Sequence, residues 1–297
     1  MEQKLAAGRE ARQKSRHPLR VFVGRLFREK PLGAIGGVFV LIMFLAGIFA
    51  ELIAPYGYAD PHFVDSLKAP NGLYLLGTDF LGRDVLSRII YGARVSLTLA
   101  ICAVVLGMLY AIALGLAAAW FGGWVDMVVS RIVDTKMVIP GLLLMLVISA
   151  MLGPGLINMV IVLSLFGVNE SRIVRAQALS VKANVYIEAA RAVGTPVGRI
   201  ILREVLPNVA VPILILATLR FGTVIISEAS LSYLGFGIPA PYPSWGRMLG
   251  SESLNYMVRA PWLALAPGIV LTLTVWGFNM LGDALRDLLD PRMRNDR

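Results

Sequence analysis

Residues 186–208 read YIEAARAVGTPVGRIILREVLPN, a polar stretch between long apolar segments. Its first part, Tyr186–Val193, carries Glu188, Arg191 and three alanines, and these are good helix formers. Gly194 fits as the residue that ends a helix in the left-handed region. Thr195-Pro196 reads as an N-cap followed by proline at the first helical position. The stretch is therefore predicted to be helix, sharp bend, helix, ending at Leu206-Pro207 where the next apolar run begins. Ala189, Ala190 and Ala192 are small enough to let a helix sit deep in a partner's groove. Glu188 and Arg191, three apart, are neighbours on a helix surface, available to each other or to a partner's charges. A short rigid helix, a fixed bend and a firm join to a long apolar segment are the parts of a lever.

The rest of the chain belongs in a bilayer. Of 297 residues 57% are hydrophobic and 16% charged, and the mean hydropathy is +0.71, whereas a soluble domain carries about 25% charge. A crossing helix needs about 20 apolar residues. The net charge of +9 is read as basic residues beside the spans on their cytoplasmic side, not as a nucleic-acid surface. The single cysteine, Cys102, excludes an intrachain disulfide and a cysteine metal cluster. The two histidines, His17 and His62, lie far apart. Neither a metal nor a cofactor is expected.

Working outward, residues 1–30 hold nine Lys/Arg against three Glu and read as a basic cytoplasmic tail on anionic lipid. The first span is placed at 31–53, with 20 uncharged residues from Pro31 to Ala50. Residues 54–93, rich in charge, Pro and Gly, are expected outside the cytoplasm. The uncharged run Val95–Val125 gives a second span, whose Gly107 and Gly115 permit close helix approach. Met137–Asn169 is uncharged over 33 residues and is split at the turn Gly153-Pro154-Gly155 into a third and a fourth span. The fifth is placed at Val209–Leu231. The sixth lies between Arg259 and Asp283, and 286–297 form a charged tail. Six spans place both termini and every basic cluster on the cytoplasmic side. The fold class is all-α, a multi-pass membrane protein.

The order Glu188-Ala189-Ala190, three residues, Gly194, then Leu206-Pro207 resembles the cytoplasmic coupling loop of the membrane subunits of bacterial ATP-binding-cassette importers. LGTDFLGRDVLSRIIYGARVS (76–96), RIVDTKMVIP (131–140), EASLSYLGFG (228–237), PSWG (243–246) and FNMLGDALRDLLDPR (278–292) are similar to the second permease subunit of dipeptide, oligopeptide and nickel importers. The resemblance implies a type I importer permease fold, with a permease core over 94–285 and its coupling loop at 176–208. It implies ATPase-coupling roles for Glu188, Ala189, Ala190, Arg191, Gly194, Leu206 and Pro207. It also implies a second permease subunit as heterodimer partner, two ATPase subunits, an external substrate-binding protein, and residence in the bacterial cytoplasmic (inner) membrane. Two places depart from the family's habit. Glu204 stands where an apolar residue or a histidine is more usual, and Val168-Asn169-Glu170 where aromatic residues are; either departure bears on subunit contacts.

No phosphate-binding loop of the Gly-x-x-x-x-Gly-Lys-Ser/Thr type occurs, so the chain is read as no enzyme, with ATP hydrolysed by partners. Arg220 and Glu228 fall inside the fifth span, where charge is expensive. They are candidates to line the translocation path, against a rival reading as structural pairs. Asp79, Arg83 and Asp84 either meet the binding protein or pair among themselves. Asp283, Arg286, Asp287 and Asp290 read as ion pairs at a helix end. Trp120, Trp124 and Trp262 read as interfacial anchors. Peptide import is the leading reading. Nickel, glutathione or an oligosaccharide would suit the same machine, and a secondary transporter or a membrane scaffold are the rivals of another class.

Overall fold

The computed structural model describes residues 18–289, and the described part is helical with no β-strand among its residues. Helix α1 (Pro18–Glu29) leads into α2 (Pro31–Ile48), α3 (Val85–Phe121), α4 (Gly123–Val138), α5 (Gly141–Leu152), α6 (Leu156–Lys182), α7 (Val185–Ala192), α8 (Val197–Tyr233) and α9 (Trp262–Leu289). Five of these, α2, α3, α6, α8 and α9, are long and apolar enough to cross a membrane. The pair α4–α5, bent by 96°, makes a sixth when it is counted as one broken span. The bend falls at Ile139-Pro140, because proline has no amide hydrogen to give and pushes its predecessor out of the helical region. The basic residues before Pro18 and the tail after Leu289, Asp290 included, lie outside the described residues.

Three boundaries differ from expectation for local reasons. Helix α3 starts at Val85, ten residues before its uncharged run, because Asp84 caps it: Ser87 N donates to Asp84 Oδ2 at 2.8 Å and Ser87 Oγ at 2.7 Å. It stops at Gly122, φ +63°, so residues 123–125 start α4 instead of closing the second span. An α-helical run begins at Leu206-Pro207 as expected, but it is joined without a break to the turn before it, so that α8 runs on from Val197. It passes through a π-helical turn at Ile201–Val205, where Leu206 N donates to Ile201 O. Pro207 cannot donate to the carbonyl four residues back, and a widened turn accommodates its ring. Asn208 Nδ2 donates to Glu204 O at 2.6 Å and takes up a carbonyl in this turn.

The bundle is held at small residues. A Cβ on Gly167 would lie 2.4 Å from Gly107 backbone atoms, and one on Gly115 would lie 2.7 Å from Ser171 O. Gly107 and Gly115 thus set the approach of α3 to α6 as their sequence suggested. Gly36 meets Gly277 in the same way between α2 and α9, and Lys30 pairs with Asp287 at the end of that contact. Between lipid-solvated helices, association depends on such close packing, because lipid tails are as apolar as the helix faces. At the Val85 end of the bundle Trp245 is fully buried and donates from Nε1 to Ile89 O at 3.1 Å. Asp79, Arg83 and Asp84 pair within this layer: Arg83 Nε meets Asp79 Oδ2 at 2.6 Å, and Asp84 makes the cap. Trp262 also has a partner here, donating to Thr78 O at 3.2 Å.

Candidate coupling site and membrane polar cluster

The polar island projects from the Phe121 end of α3. Helix α7 ends in a Schellman motif: Gly194 N donates to Arg191 O at 2.9 Å and Thr195 N to Ala190 O at 3.0 Å. Gly194 has φ +75°, a conformation open to glycine at little cost and strained for residues with a Cβ. The N-cap of the following helix is Pro196 itself, one residue later than its sequence suggests. Without an amide hydrogen, proline leaves that cap with no donor to satisfy.

Two residues anchor the island. Ile187 and Ile200 are both fully buried and join Ala111, Leu116, Val174 and Val205 in one apolar cluster. Around them the surface is exposed, and part of it is apolar: Val185 is 79% and Val193 81% exposed. Glu188, Ala189 and Arg191 lie on this exposed surface, with Ala190 half-buried beneath. Leu206 and Pro207 are the tenth and eleventh residues of α8, directly after its π turn, and Leu206 packs on the same cluster as Ile187.

Arg191 reaches back to α3. Its guanidinium stands 4.5 Å from the Trp120 ring centroid, and Lys182 Nζ lies 5.5 Å from the same ring. Lys182 Nζ also donates to Ala119 O and Trp120 O, each at 2.8 Å. It thereby caps the C-terminal carbonyls of α3, the negative end of that helix. Trp120 is thus a clamp between the island and α3 as well as an aromatic near a span end. Trp124 is 74% exposed, as an interfacial anchor is. Sequence alone hid the Arg191–Trp120 contact, because 71 residues separate the partners.

The two intramembrane charges have different surroundings. Glu228 is 1% exposed, accepts from Ser232 Oγ at 2.7 Å and faces Ser96 Oγ at 3.5 Å. Arg220 Nη1 donates to Glu170 Oε1 at 2.6 Å and beside it lies a cavity of about 210 Å³ that includes Asn169, Thr223 and Ser227. The path assignment named Arg220 and Glu228 together; here they occupy separate places, and Arg220 lines a cavity. Glu170, counted with the loop charges in the sequence, lies near the middle of α6. The signal was present, since no proline stands between Leu156 and Lys182, and the helical path runs on through a 3-10 stretch at Phe166–Glu170.

Residues 111–295 match the family described as binding-protein-dependent transport system inner membrane component. The chain belongs to this family. Residues 22–70 match the N-terminal TM domain of oligopeptide transport permease C. The permease is 41% identical over 269 residues to a dipeptide transport system permease protein of Alkalihalophilus pseudofirmus, covering 90% of this chain and 88% of that one. It is 39% identical over 282 residues to a glutathione transport system permease protein of Pectobacterium atrosepticum, covering 94% and 93%. It is 36% identical over 269 residues to an oligopeptide transport system permease protein of Bacillus subtilis, covering 90% and 88%. The permease is thus a multi-pass inner-membrane subunit of an ATP-binding-cassette importer, and the family is the membrane component of such systems rather than their ATPase.

Proposed function

We propose that this permease imports peptides, working as a heterodimer with a second permease subunit, two ATPase subunits and an external substrate-binding protein. Both termini and the α7 island lie in the cytoplasm on this reading. The single observation that carries it is the island: an exposed helix with apolar Val185 and Val193, stopped by Gly194 at φ +75° and rooted in the bundle by Ile187 and Ile200. Glu188, Ala189, Ala190 and Arg191 form the face offered to an ATPase groove. Gly194 fixes the bend, and Leu206 and Pro207 pass the displacement into α8. Nucleotide binding then shifts the bundle between two states by binding one of them better.

Peptides are the proposed solute because the similar permeases are named for dipeptide, oligopeptide and glutathione transport. Glutathione, itself a tripeptide derivative, is the second reading within the same machine. The test is uptake of labelled dipeptide, pentapeptide, glutathione and nickel in a deletion strain with and without this chain restored. Restored uptake of a peptide supports the reading. Restoration of nickel alone contradicts the solute class.

A further inference from the structure

Arg220, Thr223, Ser227 and Ser230 fall at i, i+3, i+7 and i+10 of α8 and share one face of it. Thr223 is exposed and the two serines partly so. Their hydroxyls donate only to their own helix: Thr223 to Arg220 O at 2.9 Å, Ser227 to Thr223 O and Ser230 to Ile226 O at 2.8 Å. Such a stripe gains nothing from facing lipid and is suited to water or solute. It runs past the cavity of about 210 Å³, whose polar wall includes Asn169, Glu170 and Arg220.

The wall is incompletely satisfied. Arg220 Nε, Glu170 Oε2 and Asn169 Oδ1 are buried and have no hydrogen-bond partner among the described residues. The Arg220–Glu170 pair uses Nη1 of the guanidinium, Nη2 donates to Leu163 O at 3.4 Å, and Nε is left without a partner. A third charge is close. Lys136 Nζ donates to Leu165 O at 2.8 Å, lies 4.2 Å from the Phe166 ring centroid, and interacts electrostatically with both Arg220 and Glu170. Lys136 forms no ion pair among the described residues. Two cations share one carboxylate here, and Lys136, half-buried, keeps only a backbone carbonyl and an aromatic ring as partners.

We infer that this cavity is an anion station on the transport path, which takes a carboxylate of the passing solute. The Arg220 Nε–H meets one carboxylate oxygen, and the Thr223 hydroxyl, turned away from its helix, meets the other. The inference rests on the peptide-importer reading for the solute, since a peptide carries a free carboxylate.

The test uses cysteine labelling in membranes holding the assembled importer, in a Cys102→Ser, Thr223→Cys background. The rate of modification is measured with the anionic sulfonatoethyl and the cationic trimethylammonioethyl methanethiosulfonate. The station predicts an anionic preference of about tenfold over the ratio seen with free cysteine, from the two cations that share one carboxylate. Arg220→Gln is expected to abolish it. Lys136→Gln, which leaves the Arg220–Glu170 pair whole, is expected to abolish it too and serves if the first variant fails to accumulate. Equal normalised rates overturn the station. So does absence of reaction in every nucleotide state, because lipid or the sister subunit then covers the stripe. A dipeptide with a free carboxylate is expected to slow labelling while its C-terminal amide does not. An anionic preference without any peptide protection keeps the station and counts against the peptide reading.

Discussion

At Gly194 one backbone angle separates a lever from a floppy loop. With φ +75° and the amide hydrogen given to Arg191 O, Gly194→Ala is expected to cost the bend about 1 kcal/mol. Solute uptake then falls a few-fold at an unchanged amount of protein in the membrane, read by transport assay beside immunoblot. The Arg191–Trp120 contact belongs to the same scale. Trp120→Leu removes the ring that Arg191 and Lys182 share and is expected to lower solute moved per ATP hydrolysed, whereas Trp120→Tyr, which keeps an aromatic face, retains most of it. Arg220 and Glu170 form a mostly buried pair, with side chains 10% and 17% exposed. Glu170→Gln strands a guanidinium and is expected to cost about 3–5 kcal/mol, while adding Arg220→Gln recovers much of that loss. Thermal inactivation of the detergent-solubilised importer reads both. At this scale the sequence showed the bend and the helix composition, because glycine and alanine carry their backbone preference with them. The partners of Arg191 and Arg220 were illegible, since pairing at a separation of 71 or 50 residues depends on how helices pack.

Among the elements, α3 and α6 approach as closely as their glycines allow. Gly167→Val would press a branched side chain onto Gly107, where even a Cβ sits 2.4 Å from backbone. Overpacking of this kind costs about 1–3 kcal/mol, and the amount of permease surviving in the membrane is expected to fall. The same change at Gly198, which has no neighbour within 4 Å of an added Cβ, is expected to leave that amount alone. In the segment between α2 and α3, Lys68 and then Tyr74 hold the Asp65 carboxyl below its ordinary value, and the Tyr74 hydroxyl is pushed up to about 12 by donating to Asp65. A lowered carboxylate stabilises above its unfolded pKa and loses that contribution as pH falls toward its folded one. Protease cleavage within 54–84 is therefore expected to speed up below about pH 4 and not between about pH 5 and 8. Uncharged runs overlap every helix long enough to cross a membrane but placed several ends poorly. Helix ends are set by caps such as Asp84 and breakers such as Gly122, and hydropathy does not see these. The unbroken passage of α8 through Pro207 was hidden for the same reason: a π turn with Asn208 at Glu204 O looks, in sequence, like a stop.

Across the whole molecule, the island and the polar cluster are joined by continuous helix. A displacement of α7 acts on α3 through Trp120 and on α8 through Ile200 and the π turn, and α8 carries Arg220 at its cavity. On the proposed function, energy entering at the island reaches the membrane interior along these two packed helices. On the proposed function, the rigid bend at Gly194 couples ATP hydrolysis to solute movement. The measurement is ATP hydrolysis and labelled dipeptide uptake, taken together in proteoliposomes holding the complete importer and binding protein, for the natural chain and for Gly194→Pro. Proline cannot adopt the positive φ and has no amide hydrogen for Arg191 O. The expected result is assembled importer in both preparations, with hydrolysis no longer accompanied by uptake in the variant. Uptake per ATP equal to that of the natural chain would contradict it.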